Sequence, residues 1–314
     1  MNLYNNEAIL PYIFAELFRI FEYLGPDNIF ISLYENGSKD ATRNVIRMFK
    51  NSLQTWNIEH LISTEKAHKP EKWHRIEYLA KVRNKALKPL YEQEKRGIKY
   101  DKILFINDAI FCRNDILELI YQSDLQQSDI TCPLDFDMMK GENDKDIMGF
   151  RDTWVARDIG GGSFNKNLND MFKHEDTFEL AKKKLPFQAQ CCWNGAAVLN
   201  SEPFYGNDPV KFRRSYLKYD ECSASECSLM CNDFWEKNYR RVVVVPRILL
   251  PYEIDHFKEL DNQLPQEEIP KSELVSYVKG PEKVLCHGLD ELNSINPGSP
   301  ERNVRYTSND TYVY

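Results

Sequence analysis

Lys102-Ile-Leu-Phe-Ile-Asn-Asp-Ala-Ile-Phe111 decides how this chain is read. The apolar run from Ile103 to Ile106 predicts a buried strand, and Asn107 and Asp108 stand where that strand should end. A polar pair there is badly placed for packing, because an ionised carboxylate resists burial unless it is paired or bound to a cation. It is well placed for chemistry, because ligands of open α/β sheets gather at the carboxyl ends of strands. Asp108 is therefore a candidate ligand for Mg2+ or Mn2+. Such ions prefer hard oxygen and often take one or two carboxylates, with substrate phosphates completing the shell. A turn or helix cap explains the same two residues equally well, and no second carboxylate follows to complete a D-x-D motif.

Around this strand the apolar pattern alternates between periods. Ile9, Ile13, Leu17, Ile20 and Leu24 lie on one face of a helix over 7–24, closed by Gly25-Pro26. Ile29 to Tyr34 predicts a strand, followed by a turn over 35–40, a helix through about Leu53 and a strand over 58–62. His74 to Arg96 predicts a long helix closed by Gly97. A short helix from Asn114 and a strand over 129–132 come after the acidic strand. This order predicts an α/β fold, a largely parallel sheet covered by helices. From Asp135 to Leu185 the pattern weakens into expected long loops, which are uncommon unless functional. Arg241-Val-Val-Val-Val-Pro246 restores a buried strand, and the polar tail from about 258 is expected to wrap or to be poorly ordered at its end.

Composition narrows the function classes. The chain has 314 residues, 42% of them hydrophobic, so it is globular, and its net charge of -7 argues against a general nucleic-acid binder. No run approaches the roughly 20 apolar residues that cross a bilayer, and nothing has the form of a signal peptide. As given, the chain reads as soluble, the catalytic portion of something longer. Five of the eight cysteines lie between 191 and 231, at spacings unlike a zinc ribbon, so disulfides in an oxidising compartment are expected. Sequons at Asn36-Gly-Ser38 and Asn309-Asp-Thr311 fit a secretory route. There is no glycine-rich P-loop.

Several other residues carry usable chemistry. Ser32 and Glu35 could face a nucleotide, or belong to a capped loop. Arg83 could fork onto a phosphate, or sit on a solvated helix face among lysines. Asp152 beside Trp154, and Trp193 with Asn194 and Gly195, suit a sugar, whose ring faces stack on indole while its hydroxyls bond to polar groups. Core packing is the alternative for each tryptophan. Glu226 and Asp233 are seven apart, on one face of a helix. They could act on a hydroxyl or a sugar cation, or be surface charges in a disulfide-stapled loop. His287 is a candidate late metal ligand, although most lone histidines are not ligands.

Together these stretches resemble the fungal capsule-associated α-1,3-mannosyltransferase family, of the cryptococcal mannosyltransferase type. The resemblance is carried by Asn2-Leu-Tyr-Asn-Asn-Glu-Ala-Ile-Leu-Pro11, Ser32-Leu-Tyr-Glu-Asn-Gly-Ser38 with Asp40, Leu79-Ala-Lys-Val-Arg-Asn84 and Asn107-Asp108. It continues through Asp152-Thr-Trp154, Cys192-Trp-Asn-Gly195, Phe212-Arg213 and Ser225-Glu-Cys-Ser-Leu-Met-Cys-Asn-Asp-Phe-Trp235, covers about residues 1–255 and fades in the tail. It implies a glycosyltransferase-A type fold over 1–257, with a nucleotide-sugar half over 1–134, an acceptor half over 135–257 and a tail over 258–314. The expected reaction moves mannose from GDP-mannose to a glycan hydroxyl, forming an α-1,3 linkage with retention and using Mn2+ or Mg2+.

By the same resemblance Asp108 would hold the metal; His287, beyond the matched stretch, stays a candidate ligand on its own chemistry. Asn2, Tyr4, Ser32, Glu35, Arg83 and Asn107 would line the nucleotide-sugar side. Trp154, Trp193, Asn194, Gly195 and Arg213 would hold acceptor or sugar, and Glu226, Asp233 and Asp152 would act at the reacting carbon. The resemblance also implies an N-terminal transmembrane anchor in the secretory pathway (Golgi) for a full-length member; this chain is expected to begin within or just after the first strand, as a truncated luminal domain or a divergent soluble member. A UDP-sugar (xylose or galactose) transferase on the same fold and a non-catalytic glycan-binding relative are the alternatives.

Overall fold

The computed structural model describes residues 1–65, 70, 72–140, 144–216, 221–263, 273–288 and 301–303. The sequon at Asn309 lies outside them. Within them the chain is α/β. Strand β1 (Asn2–Leu3) leads to α1 (Leu10–Leu24), β2 (Phe30–Glu35), α2 (Thr42–Thr55), β3 (Glu59–Thr64) and α3 (Arg75–Lys95). Then come β4 (Lys102–Ile106), α4 (Arg113–Leu125), β5 (Ile130–Lys140), β6 (Asp146–Phe150), β7 (Arg157–Asp158), α5 (Glu175–Lys182), β8 (Phe187–Cys191) and β9 (Ala196–Asn200). The series ends with α6 (Glu226–Glu236), β10 (Val242–Pro251), α7 (Ile254–Gln263), β11 (Lys283–Leu285) and β12 (Glu301–Asn303).

Helix α1 follows its apolar stripe: Leu10, Ile13, Phe14, Leu17, Ile20 and Phe21 are buried, and Gly25, at φ 83°, ends it. With α2 and α4 it packs over one face of the sheets, where the rings of Phe14 and Phe49 stack at 3.8 Å. Parallel pairing holds throughout β1-β2-β3 and again between β5 and β10. The larger sheet, in the order β4-β9-β5-β10-β8-β7 with β6 beside β5, is otherwise antiparallel. The register of β10 against β5 shifts between Val244 and Leu249, around Pro246, which has no N–H to donate.

The region expected as long loops contains the longest strand. Strand β5 runs to Lys140 and turns into β6, with Phe136 opposite Phe150. The acids Asp135 and Asp137 interrupt its apolar pattern, which is why the sequence shows only its first few residues as strand.

Three disulfides tie the second half of the chain: Cys132–Cys192, Cys191–Cys231 and Cys222–Cys286. Cys112 and Cys227 are outside these disulfides. The segment 273–288 lies against the body. Val275 N–H donates to Gln126 and Val278 N–H to Gln188, the Leu285 N–H donates to the Gly161 carbonyl at 2.9 Å, and Cys286 closes onto Cys222. Among the described residues no helix is long and apolar enough to cross a membrane.

Candidate active site

The end of β4 carries the polar pair into an open position: Asn107 is half-buried and Asp108 is exposed. Beneath them passes the Trp193-Asn194-Gly195 turn between β8 and β9, whose Gly195 carbonyl accepts from the Asn107 N–H at 2.9 Å. Asn194 and Gly195 both have left-handed backbones, at φ 47° and 80°. A Cβ on Gly195 would stand 2.8 Å from the Ala109 Cβ and 3.4 Å from that of Asp135. Glycine is needed there for both reasons.

Below the turn lies a pair of carboxylates. Asp135 is buried in β5, accepting from the Tyr252 hydroxyl at 2.7 Å and from the Asp152 N–H at 3.2 Å. Asp152 accepts from the Asn194 N–H at 3.1 Å and the Val155 N–H at 3.4 Å. No ion pair neutralises either acid among the described residues. Burial pushes the Asp135 carboxyl above its ordinary value. Burial, then repulsion from Asp135, pushes Asp152 higher still. The two share a site that disfavours a double negative charge, so the pair holds a proton into the neutral range. The Arg151 guanidinium covers the Tyr252 ring at 3.9 Å, and both Arg151 and Tyr252 lie within the field of Asp108.

Arg83, on α3, closes the other side. It packs against Phe105, Trp193 and Phe212, with ring centroids at 5.1, 5.0 and 5.6 Å. It donates to Glu226 at 2.8 Å and to the Asn107 carbonyl oxygen at 3.2 Å, which the Trp193 indole also reaches at 3.3 Å. Burial opposes the charge on Arg83, but the field of the Cys227 and Glu226 groups holds its pKa above the ordinary value.

The structure thus gathers Asn107, Asp108, Asp152, Arg83, Glu226, Trp193, Asn194 and Gly195 into one region. Other expected site residues are engaged elsewhere. The Asn2 amide donates to the Val82 carbonyl at 2.7 Å, and the Ser32 hydroxyl to that of Ala86 at 2.5 Å, binding β1 and β2 to α3. Glu35 organises its own turn, accepting from the Gly37 and Ser38 N–H groups and from Arg43. Burial works against its ionisation, yet the Ser38 N–H and Arg43 outweigh it and hold the carboxyl below its ordinary range. Tyr4 is exposed.

Asp233 is locked in a fork with Arg213, at 2.8 and 2.7 Å, and Arg213 also holds Glu221. Trp193 is a core residue, whereas Trp154 is half-buried, its indole N–H without a partner among the described residues and the Arg75 guanidinium 5.9 Å above its ring. His287 stands beside Arg157 and Lys173. Burial first, then these cations, lower its pKa to about 4, leaving the neutral imidazole. Sequence reasoning missed Asp135, Arg151 and Tyr252. An acid inside the apolar run Ile130-Thr-Cys-Pro-Leu-Asp-Phe136 was the signal for the first.

Among the described residues no group of three or more His, Cys, Asp or Glu side chains is placed to hold a metal ion. What the site offers is one exposed hard-oxygen ligand, Asp108. That donor set fits Mg2+ or Mn2+ where phosphate oxygens supply the rest of the shell.

The family described as Cryptococcal mannosyltransferase 1 matches residues 1–233. An α-1,3-mannosyltransferase of Cryptococcus neoformans var. neoformans serotype D is 30% identical over 318 residues, covering 92% of this chain and 67% of that protein. Of the solved structures similar to the chain, S. aureus TarS 1–349 covers 80% of it and 58% of its own length, at 14% identity and a TM-score of 0.43. The mannosyltransferase PcManGT from Pyrobaculum calidifontis, in complex with GDP-Man and Mn2+, covers 80% of this chain and 54% of its own, at 12% identity and a TM-score of 0.43. The chain spans just over half the length of these two solved chains.

Proposed function

The chain belongs to the cryptococcal mannosyltransferase family, and from that premise we propose that it transfers mannose from GDP-mannose to a glycan hydroxyl, forming an α-1,3 linkage with retention. The observation that carries this reading is Asp108, exposed at the carboxyl end of β4, in the region where Asp135 and Asp152 are hydrogen-bonded together. A divalent ion held by Asp108 would neutralise charge on the departing diphosphate. Arg151, within the field of Asp108, adds a permanent positive charge that reaches the same phosphates. Arg83 fixes the side-chain amide of Asn107 and so the direction in which the strand end presents Asp108. Trp154, with its unpartnered indole N–H, offers a stacking face and a donor to a sugar.

Asp152, Asp135 and Tyr252 form a connected set able to hold or release a proton beside the transferred sugar. Retention then proceeds through a carboxylate adduct or by same-face attack. The three disulfides suit an oxidising compartment such as the secretory lumen, consistent with synthesis of glycans in the Golgi.

The test is release of GDP from GDP-mannose, with Mn2+ and with a chelator. Activity should require the metal, and Asp108→Ala should abolish it while the melting temperature stays within about 2 °C, since surface substitutions move stability by only about 0.5 kcal/mol. Full activity in that variant removes Asp108 from the mechanism.

A further inference from the structure

We infer that the groove between α3 and residues 212–214 binds an anionic sugar residue of the acceptor glycan. This rests on the transferase reading and deepens it by naming the class of acceptor. The groove encloses about 590 Å³, within the range of ligand sites. One wall is a face of α3, where Glu77, Lys81, Asn84 and Lys88 recur at three- and four-residue spacing along the helix. Across from it lie Phe212 and Arg214. The Asn84 amide joins the two walls, donating to the Phe212 carbonyl at 2.7 Å and accepting from its N–H at 3.1 Å.

In a chain of net charge -7 this groove gathers Lys81, Lys85, Lys88, Arg213 and Arg214 against the single acid Glu77. Arg213 is committed to Asp233 and Glu221, and Lys85 to Glu65 and Tyr34. Lys81 and Lys88 stand in water. Lys88 pairs with Glu92 at 3.1 Å, in an exposed contact that a ligand can displace at little cost. The Lys81 ammonium lies 4.4 Å over the Trp73 ring, so a cation and an indole face are presented together. Tyr91 lines the same groove.

Phe212 stands between the groove and the candidate centre: it lines the groove, and its ring lies 5.6 Å from the Arg83 guanidinium. An acceptor chain leaving that centre past Phe212 lies along two exposed lysines and an indole. A carboxylate or a phosphate ester on the glycan satisfies both lysines. The overall negative charge disfavours a long polyanion such as a nucleic acid.

Titration calorimetry on the whole chain tests this, with trigalacturonate, its carboxyl-reduced form and mannose 6-phosphate. At low salt trigalacturonate should bind at least ten-fold tighter than the reduced trisaccharide. The K81E/K88E variant should erase that preference while its melting temperature and GDP-mannose hydrolysis stay unchanged. Trp73→Ala should weaken the acidic and reduced forms alike. Tight mannose 6-phosphate beside weak trigalacturonate also supports the site and assigns the anion as a phosphate ester. Equal binding of all three sugars, or an acid preference that survives K81E/K88E, overturns the inference. If the unmodified chain does not hydrolyse GDP-mannose, the transferase reading fails instead, and the acid preference still reports on the groove alone.

Discussion

Two glycines with the same backbone angle separate strain from crowding at the centre. Gly97, at φ 81°, has nothing within 4 Å of an added Cβ. Gly195, at φ 80°, would place that atom 2.8 Å from the Ala109 Cβ, 3.4 Å from the Asp135 Cβ and 3.5 Å from the Tyr252 hydroxyl. Alanine in the left-handed region costs about 1–2 kcal/mol, and restricting the unfolded chain returns about 0.4–1 of it. Gly97→Ala should therefore lose about 1 kcal/mol.

Gly195→Ala carries the same term plus a clash. Carbon atoms rest at about 3.5–4.0 Å, so the contact with Ala109 is short by about 0.7 Å. The Ala109 Cβ is fixed to backbone and cannot swing away, and overpacking of this kind costs about 1–3 kcal/mol. The total is about 2–4 kcal/mol. Urea unfolding of both variants, disulfides intact, should show unchanged slopes and a lower midpoint for Gly195→Ala. Relief of the clash moves Ala109, and Asp108 with it, so turnover of Gly195→Ala should fall at least about ten-fold while Gly97→Ala keeps its rate. Equal destabilisation of the two, or full turnover in Gly195→Ala, refutes the argument.

Glu226→Ala leaves Arg83 charged inside its aromatic cage and should cost about 3–5 kcal/mol in urea unfolding; unchanged stability with lost turnover would make Glu226 a reacting group instead. The raised carboxyls of Asp135 and Asp152 keep protons in the folded state that the unfolded chain releases above the ordinary value of 3.8, so stability should fall as pH rises from about 4 towards neutrality. Asp152→Asn should flatten that slope in unfolding measured from pH 4 to 7, and an equally steep slope would refute the pairing. Cys286→Ser opens a link between residues 64 apart. It should lower stability by about 2–5 kcal/mol and raise amide exchange across 273–288; unchanged exchange there would show that the hydrogen bonds alone hold the segment.

Much of residues 1–134 was legible because the elements there bury one face each. The stripe of α1, the run of β2 and the apolar core of β4 announce themselves by period, and β4 points to Asp108 without further help. Residues 135–257 were obscured by the acids and aromatics set among them. Asp135 sits among Leu134 and Phe136 in a buried strand, and an acid at that position makes the sequence look like loop. Arg83 and Glu226 are 143 residues apart, and no local rule couples them. Among lysines 81, 85 and 88, Arg83 reads as one more solvated cation, whereas the structure turns it inward onto three rings. Tyr252 is an ordinary tyrosine at a strand end until its hydroxyl is seen on Asp135.

The pairing of charges also redistributes roles among the acids. Glu226 and Asp233 each face an arginine, at 2.8 Å in both cases. A carboxylate held in that way is committed to its guanidinium, since breaking the pair would strand the cation. Asp135 and Asp152 have no such partner among the described residues, accept from N–H groups and a phenol, and disfavour being charged together. This second arrangement can change its proton content when a charge develops or leaves nearby. A departing diphosphate at Asp108 and an entering hydroxyl produce that change in charge. Within the proposed transferase, then, proton handling falls to the acids on β5 and on the loop after β6, and the acids of α6 hold the site's walls in place.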